Sequence, residues 1–188
     1  MTIRAMTNPN YSSWMQLKLC YAFLLTITCM QANAQYGTQS GDWPSYGGDT
    51  GSTKYSPLTQ ISAENFGDLE IAWRWTSVDS ELDIEALLET NPDVNINNFQ
   101  GTPLKVGDKL YIITAMNLIS ALNAATGETL WTYNPEVYLS GPPVNIIGYH
   151  SRGVAYWSDG EEERILAGLN DGYLVSLDAK TGLPDPAF

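Results

Sequence analysis

A self-match at a fixed spacing constrains this chain more than any other feature. Shifting the sequence by 55 positions lays KLYIITAMNLISALNAATG (residues 109–127) onto RILAGLNDGYLVSLDAKTG (residues 164–182). Leu122 falls on Leu177, Ala124 on Ala179, Thr126-Gly127 on Thr181-Gly182, and Asn123 opposes Asp178. Each copy holds two β-rich runs and a Thr-Gly corner, so one unit carries several strands. A unit of this length cannot bury its apolar face alone, so neighbouring units must stack, as propeller blades or solenoid turns do. Strands are expected at 109–114, 118–123, 128–133, 164–169 and 173–178. Asn170-Asp171-Gly172 makes the last pair a hairpin, because Gly accepts the positive φ of a tight turn. Helix is expected only after Ser80-Glu81-Leu82-Asp83, which fits a capping box, and it ends at Asn91-Pro92.

Composition removes several function classes. Nine Lys and Arg stand against 21 Asp and Glu, a net charge of −12, which is the wrong sign for a nucleic-acid groove. With 44% hydrophobic and 11% aromatic residues the chain has the apolar surface for a core. One His and two Cys leave little for a zinc site or a disulfide scaffold. Asp93-Val94-Asn95-Ile96-Asn97 resembles half of a Ca²⁺ loop, but Asn98 and Leu104 stand where an EF-hand needs Gly and Glu, so it reads as a polar loop. The acidic run 159–163 reads as a solvated hairpin tip.

The first 34 residues read as an export signal. No Asp or Glu precedes Gly41, Arg4 and Lys18 are basic, and 19–30 (LCYAFLLTITCM) is apolar. That run is too short for a hydrocarbon core of ~30 Å, which takes about 20 helical residues. Ala32-Asn33-Ala34 supplies the small-x-small cleavage pattern. Met15 is an alternative start, and a lipoprotein reading through Cys29 is weaker, since Thr28 stands where a small residue belongs. Cleavage would leave residues 35–188 without cysteine, reliant on packing alone, in the periplasm.

The run Ala121-Leu122-Asn123-Ala124-Ala125-Thr126-Gly127-Glu128-Thr129-Leu130-Trp131 resembles the tryptophan-docking repeat of quinoprotein dehydrogenases, with Asn123 in place of its usual Asp. A second copy starts at Ser176. The opening Trp43-Pro44-Ser45-Tyr46-Gly47-Gly48-Asp49, then Lys54-Tyr55-Ser56-Pro57-Leu58, NFGDLEIAW (65–73), TPLKVGDKLY (102–111) and RGVAYW (152–157) extend the resemblance from about Asp42 to Phe188. It is strongest to the glucose-dehydrogenase-like branch.

The resemblance implies an all-β fold: a partial β-propeller of about two to three blades from an eight-bladed ring, with 35–188 as the N-terminal part of the propeller domain and open blade faces. It implies pyrroloquinoline quinone (PQQ) and Ca²⁺ as cofactors. In the family an aspartate base and a quinone acceptor, polarised by Ca²⁺, oxidise sugars or alcohols, and electrons pass to ubiquinone or a cytochrome. The catalytic Asp and principal Ca²⁺ ligands are expected beyond Phe188, so no catalytic residue is named and the chain by itself is expected to be inactive. Three residues are candidates for cofactor binding. Arg152 matches a family arginine, and a guanidinium suits a ligand with three carboxylates; read without the motif, it is a blade-edge Arg paired with an acid. Gln100 stands where many members carry Glu, keeping a hydrogen bond without the charge. His150 lies two residues before Arg152, at an offset different from the family histidine; read alone it is a satisfied loop histidine. Ile146-Ile147 stands where the alcohol-dehydrogenase branch carries a vicinal Cys pair. The tryptophans Trp73, Trp75, Trp131 and Trp157 read as blade packing. The alternative from another class is a non-catalytic propeller with the same repeats, serving as a protein-binding scaffold in the cell envelope. A secreted carbohydrate-binding β-protein has only aromatic content in its favour.

Overall fold

The structure, a computed structural model, describes residues 38, 41–92, 94–143, 148–149 and 151–188. Two antiparallel sheets dominate it. The first is a four-stranded meander of β1 (Leu104–Val106), β2 (Lys109–Ile113), β3 (Ile119–Asn123) and β4 (Thr129–Tyr133). The second has β5 (Ala155–Ser158), β6 (Glu163–Gly168) and β7 (Leu174–Asp178). The expected strands form within a residue of their limits. β1 and β5 were not foreseen, because three or four residues carry too little alternation to register as a strand.

The 55-residue shift holds at the level of register. Lys109 pairs with Asn123 and Arg164 with Asp178; Leu122 pairs with Thr129, and Leu177 bridges Pro184. That last bridge sets Pro184 beside β7 at the place that Thr129 holds beside β3. Both corners are built alike. The Asn123 side-chain oxygen accepts from Ala125 N and Thr126 N at 2.9 and 3.1 Å, and Asp178 accepts from Lys180 N and Thr181 N at 3.0 and 2.7 Å. An Asx turn needs only an acceptor oxygen, so Asn serves where the repeat usually has Asp.

Tryptophans then join one unit to the next. Trp73 Nε1 donates to the Ala124 carbonyl at 3.2 Å, and Trp131 Nε1 donates to the Ala179 carbonyl at 3.2 Å. Each indole lies against a corner glycine, Gly127 (φ 74°) or Gly182 (φ 72°), where no Cβ could fit. Between the sheets, Tyr111 stacks on Tyr156 at 6.5 Å and its hydroxyl donates to the Ala179 carbonyl. Ile113, Ile119, Ala121, Ile165 and Leu177 are buried around it. These contacts place Trp73 and Trp131 in blade packing, while Trp157 lies half-exposed over the Arg164 guanidinium at 5.5 Å.

The helix, α1, spans Ile84–Thr90 and ends at Asn91 as expected, but its start differs. Asp83 is the N-cap, accepting from Ala86 N at 3.1 Å, and 78–81 forms a separate 3-10 turn capped by Ser77. Ser80 lies inside that turn, its Oγ donating to the Ser77 carbonyl, and so does not stand at the start of α1. Asp in place of Ser at the cap is physically equivalent, so the pattern was right in type and three residues early. The 159–162 turn is exposed and closed by Asp159, which accepts from Glu161 N and Glu162 N. Exposed apolar side chains collect along 61–71 (Ile61, Phe66, Leu69, Ile71) and at the start of β7 (Tyr173, Leu174). No helix among the described residues is long and apolar enough to cross a membrane.

Candidate functional site

The alternation of strand direction sorts the loops onto two ends. The docking corners 123–127 and 178–182 occupy one end, with the β1–β2 turn, where Ala124 N donates to the Asp108 carbonyl. The opposite end collects the segments leading into β1 and β5, the β2–β3 turn and the β6–β7 turn. Gln100 and Arg152 both lie there.

The two candidates are far apart in sequence, yet their backbones run side by side. Thr102 and Gly153 form a parallel bridge, with Thr102 N donating to the Arg152 carbonyl at 2.9 Å. Gly101 and Gly153 permit this approach. A Cβ on Gly101 would lie 2.7 Å from the Ile113 carbonyl oxygen, and one on Gly153 (φ 146°) would lie 3.0 Å from the Thr102 oxygen. Gln100 and Arg152 themselves are exposed. Gln100 Nε2 donates to Asn98 Oδ1 at 2.7 Å, and Arg152 makes no ion pair among the described residues. Arg164, by contrast, is held by Glu162 and Asp185. No acid among the described residues pairs with Arg152. A guanidinium and an amide carried on adjacent segments fit a ligand rich in carboxylates and quinone oxygens, the chemistry of PQQ.

His150 and Ile146-Ile147 lie outside the described residues, as does Asp93 of the polar loop. Asn95 in that loop accepts from Asn97 N at 2.9 Å, an ordinary Asx turn. Among the described residues no group of three His, Cys, Asp or Glu is placed to hold a metal ion. A cleft of about 530 Å³ opens at the same end, between Val137, Tyr149, Leu169 and Asn170. Neither Gln100 nor Arg152 lines it.

Two supporting features escaped the sequence. Asn117, fully buried in the β2–β3 turn, has φ 65° and bonds to two other loops. Its only sequence signal was a turn position tolerant of left-handed backbone. Asp79 is buried against the same turn, accepting from Thr114 Oγ1 at 2.5 Å and Met116 N at 3.3 Å. Burial pushes its carboxyl above the ordinary 3.8, against the pull of the Thr114 hydroxyl and the Met116 amide. A carboxyl with a raised folded pKa contributes stability below its unfolded value and loses it as pH rises through the folded value. The urea midpoint of the parent is therefore expected to fall, relative to Asp79→Asn, as pH rises above ~4. Parallel pH profiles from urea unfolding of the two proteins would contradict this.

The chain matches the family model described as PQQ: glucose/ethanol/alcohol dehydrogenase, β-propeller domain, over residues 43–188. It is 38% identical over 146 residues to the alcohol dehydrogenase (quinone), dehydrogenase subunit, of Gluconobacter oxydans, covering 78% of this chain and 17% of that one. It is 34% identical over 152 residues to the quinoprotein glucose dehydrogenase of Escherichia coli, covering 75% and 18%. The crystal structure of quinohemoprotein alcohol dehydrogenase from Comamonas testosteroni superposes with a TM-score of 0.55 at 31% identity, covering 76% of this chain and 18% of that chain. The chain thus spans about a sixth of the length of these relatives. It belongs to the PQQ-dependent glucose/ethanol/alcohol dehydrogenase β-propeller family.

Proposed function

We propose that this chain is the propeller segment of an exported oxidoreductase that oxidises CH–OH groups of sugars or alcohols, and that Arg152 and Gln100 help to bind PQQ. The observation that carries the reading is the parallel bridge at Thr102 and Gly153, which aligns the segments of Gln100 and of Arg152, whose guanidinium makes no ion pair among the described residues. PQQ, when bound, supplies a two-electron quinone acceptor that no side chain can replace. The chain's own share is to bind and orient. Arg152 can pair bidentately with a carboxylate, and Gln100 can donate or accept at a quinone or carboxylate oxygen. His150, two residues from Arg152, is a third contact in this reading. Ca²⁺ as second cofactor, ubiquinone or a cytochrome as electron acceptor, cleavage near Ala34 and a periplasmic location complete it. Relatives named for alcohols and for glucose both support the substrate class, and Ile146-Ile147 in place of a Cys pair favours the glucose-dehydrogenase-like branch.

The test uses the full-length gene product, exported and purified free of cofactor. Dye reduction with glucose and with simple alcohols is expected only when PQQ and Ca²⁺ are both added. A folded protein that binds no PQQ would sink the enzyme reading and leave the envelope scaffold.

A further inference from the structure

We propose that Asn117 is a positioning residue for Arg152, fixing the segment that leads into β5 from its seat in the β2–β3 turn of the preceding sheet; this rests on the PQQ-site reading above. Asn117 is wholly buried with positive φ, a conformation that glycine would adopt at lower cost. What glycine lacks is the amide. Asn117 Nδ2 donates to the Tyr149 carbonyl, and its Oδ1 accepts from Asn170 N at 2.9 Å and Asn170 Nδ2 at 3.1 Å. One side chain therefore ties three loops at the end of the sheets where Gln100 and Arg152 lie.

Tyr149 is gripped a second time through its hydroxyl, which accepts from Asn91 Nδ2 at 2.7 Å and donates to the Gly141 carbonyl. Three residues later, the Arg152 carbonyl is held by Thr102 N. Tyr149 is thus held by polar groups of three other segments, and the Arg152 carbonyl by the inter-sheet bridge. Losing the Asn117 amide would leave the buried Tyr149 carbonyl and the partly buried Asn170 N–H without that partner, and the segment would shift to recover one elsewhere. A cofactor contact tolerates displacement of only about 0.5 Å before it weakens, so the loss should be felt at Arg152.

The experiment reads positioning and cofactor binding separately, in the full-length gene product free of cofactor. Hydrogen exchange of amides 151–153 is expected to be about tenfold faster in Asn117→Gly. PQQ affinity, from quenching of tryptophan fluorescence, is expected to fall about tenfold in Asn117→Gly, but less than twofold when Arg152→Ala is already present. A general structural loss would weaken binding equally in both backgrounds, and that result would overturn the proposal, as would unchanged exchange. Tyr149→Phe, which removes only the hydroxyl, is expected to behave in the same direction and replaces Asn117→Gly if that variant does not fold. Failure of the parent to bind PQQ while exchange responds would overturn the cofactor reading and not the tie.

Discussion

Gly127→Ala is expected to destabilise the protein by about 3 kcal/mol, and Gly182→Ala by a similar amount. Two effects combine at each site. The backbone is left-handed, φ 74° at Gly127 and 72° at Gly182, which costs a residue with a Cβ about 1–2 kcal/mol. The new methyl would also stand 2.4 Å from Trp73 Cε3 at Gly127, or 2.5 Å from Trp131 Cε3 at Gly182. An indole cannot yield by rotating its tip, because its Nε1 is committed to the Ala124 or Ala179 carbonyl. Relieving the overlap means lifting the ring from the corner, at about 1–3 kcal/mol for overpacking and about 1 kcal/mol for the hydrogen bond. Gly67→Ala is the control. It has no neighbour within 4 Å and no positive φ, so it should stay within about 0.5 kcal/mol of the parent. Urea midpoints of the three variants decide the matter. Equal midpoints for Gly127→Ala and Gly67→Ala would mean the tryptophan is not seated on the corner.

That docking was legible in the sequence because its parts recur. Asn123, Gly127 and Trp131 are close together, and a second corner 55 residues on repeats the pattern, so local chemistry and period pointed the same way. β1 and β5 were not legible, since their length hides alternation and their place is set by partners: Lys109 for Val106, and Leu166 for Ala155. The helix start missed for a related reason. Ser80 and Asp83 are both competent caps, and the Ser77 cap on the 78–81 turn together with the contacts of Asp79 with the β2–β3 turn chooses between them. At the candidate site, Arg152 and Gln100 came from family resemblance, not from periodicity or charge. Their juxtaposition depends on a bridge between residues 51 positions apart, which a linear pattern does not contain. Asn117 was legible as a turn residue and illegible as a tie, because its partners Tyr149 and Asn170 are brought to it by the stacking of two sheets.

Arg152→Ala is expected to weaken PQQ binding about 100-fold while leaving the urea midpoint of the cofactor-free protein unchanged. The separation follows from its surroundings. An arginine engaged like Arg164, between Glu162 and Asp185, would leave acids uncompensated when removed, and stability would fall with function. Arg152 is exposed and has no such partner among the described residues, and its structural bond, Thr102 N to the Arg152 carbonyl, is made by backbone that survives the substitution. What is lost is the charge-assisted pair with a ligand carboxylate, worth about 1.5–3 kcal/mol, or roughly 10- to 150-fold. Arg152→Lys refines the prediction. An ammonium keeps the charge but cannot form two parallel N–H···O bonds, so affinity should fall between the two, about tenfold below the parent. Fluorescence titration of PQQ with each variant, beside urea unfolding, checks both halves. If Arg152→Ala lost stability and PQQ affinity together, Arg152 would be a structural edge residue. If PQQ affinity were unchanged, its place beside Gln100 would have no bearing on the cofactor.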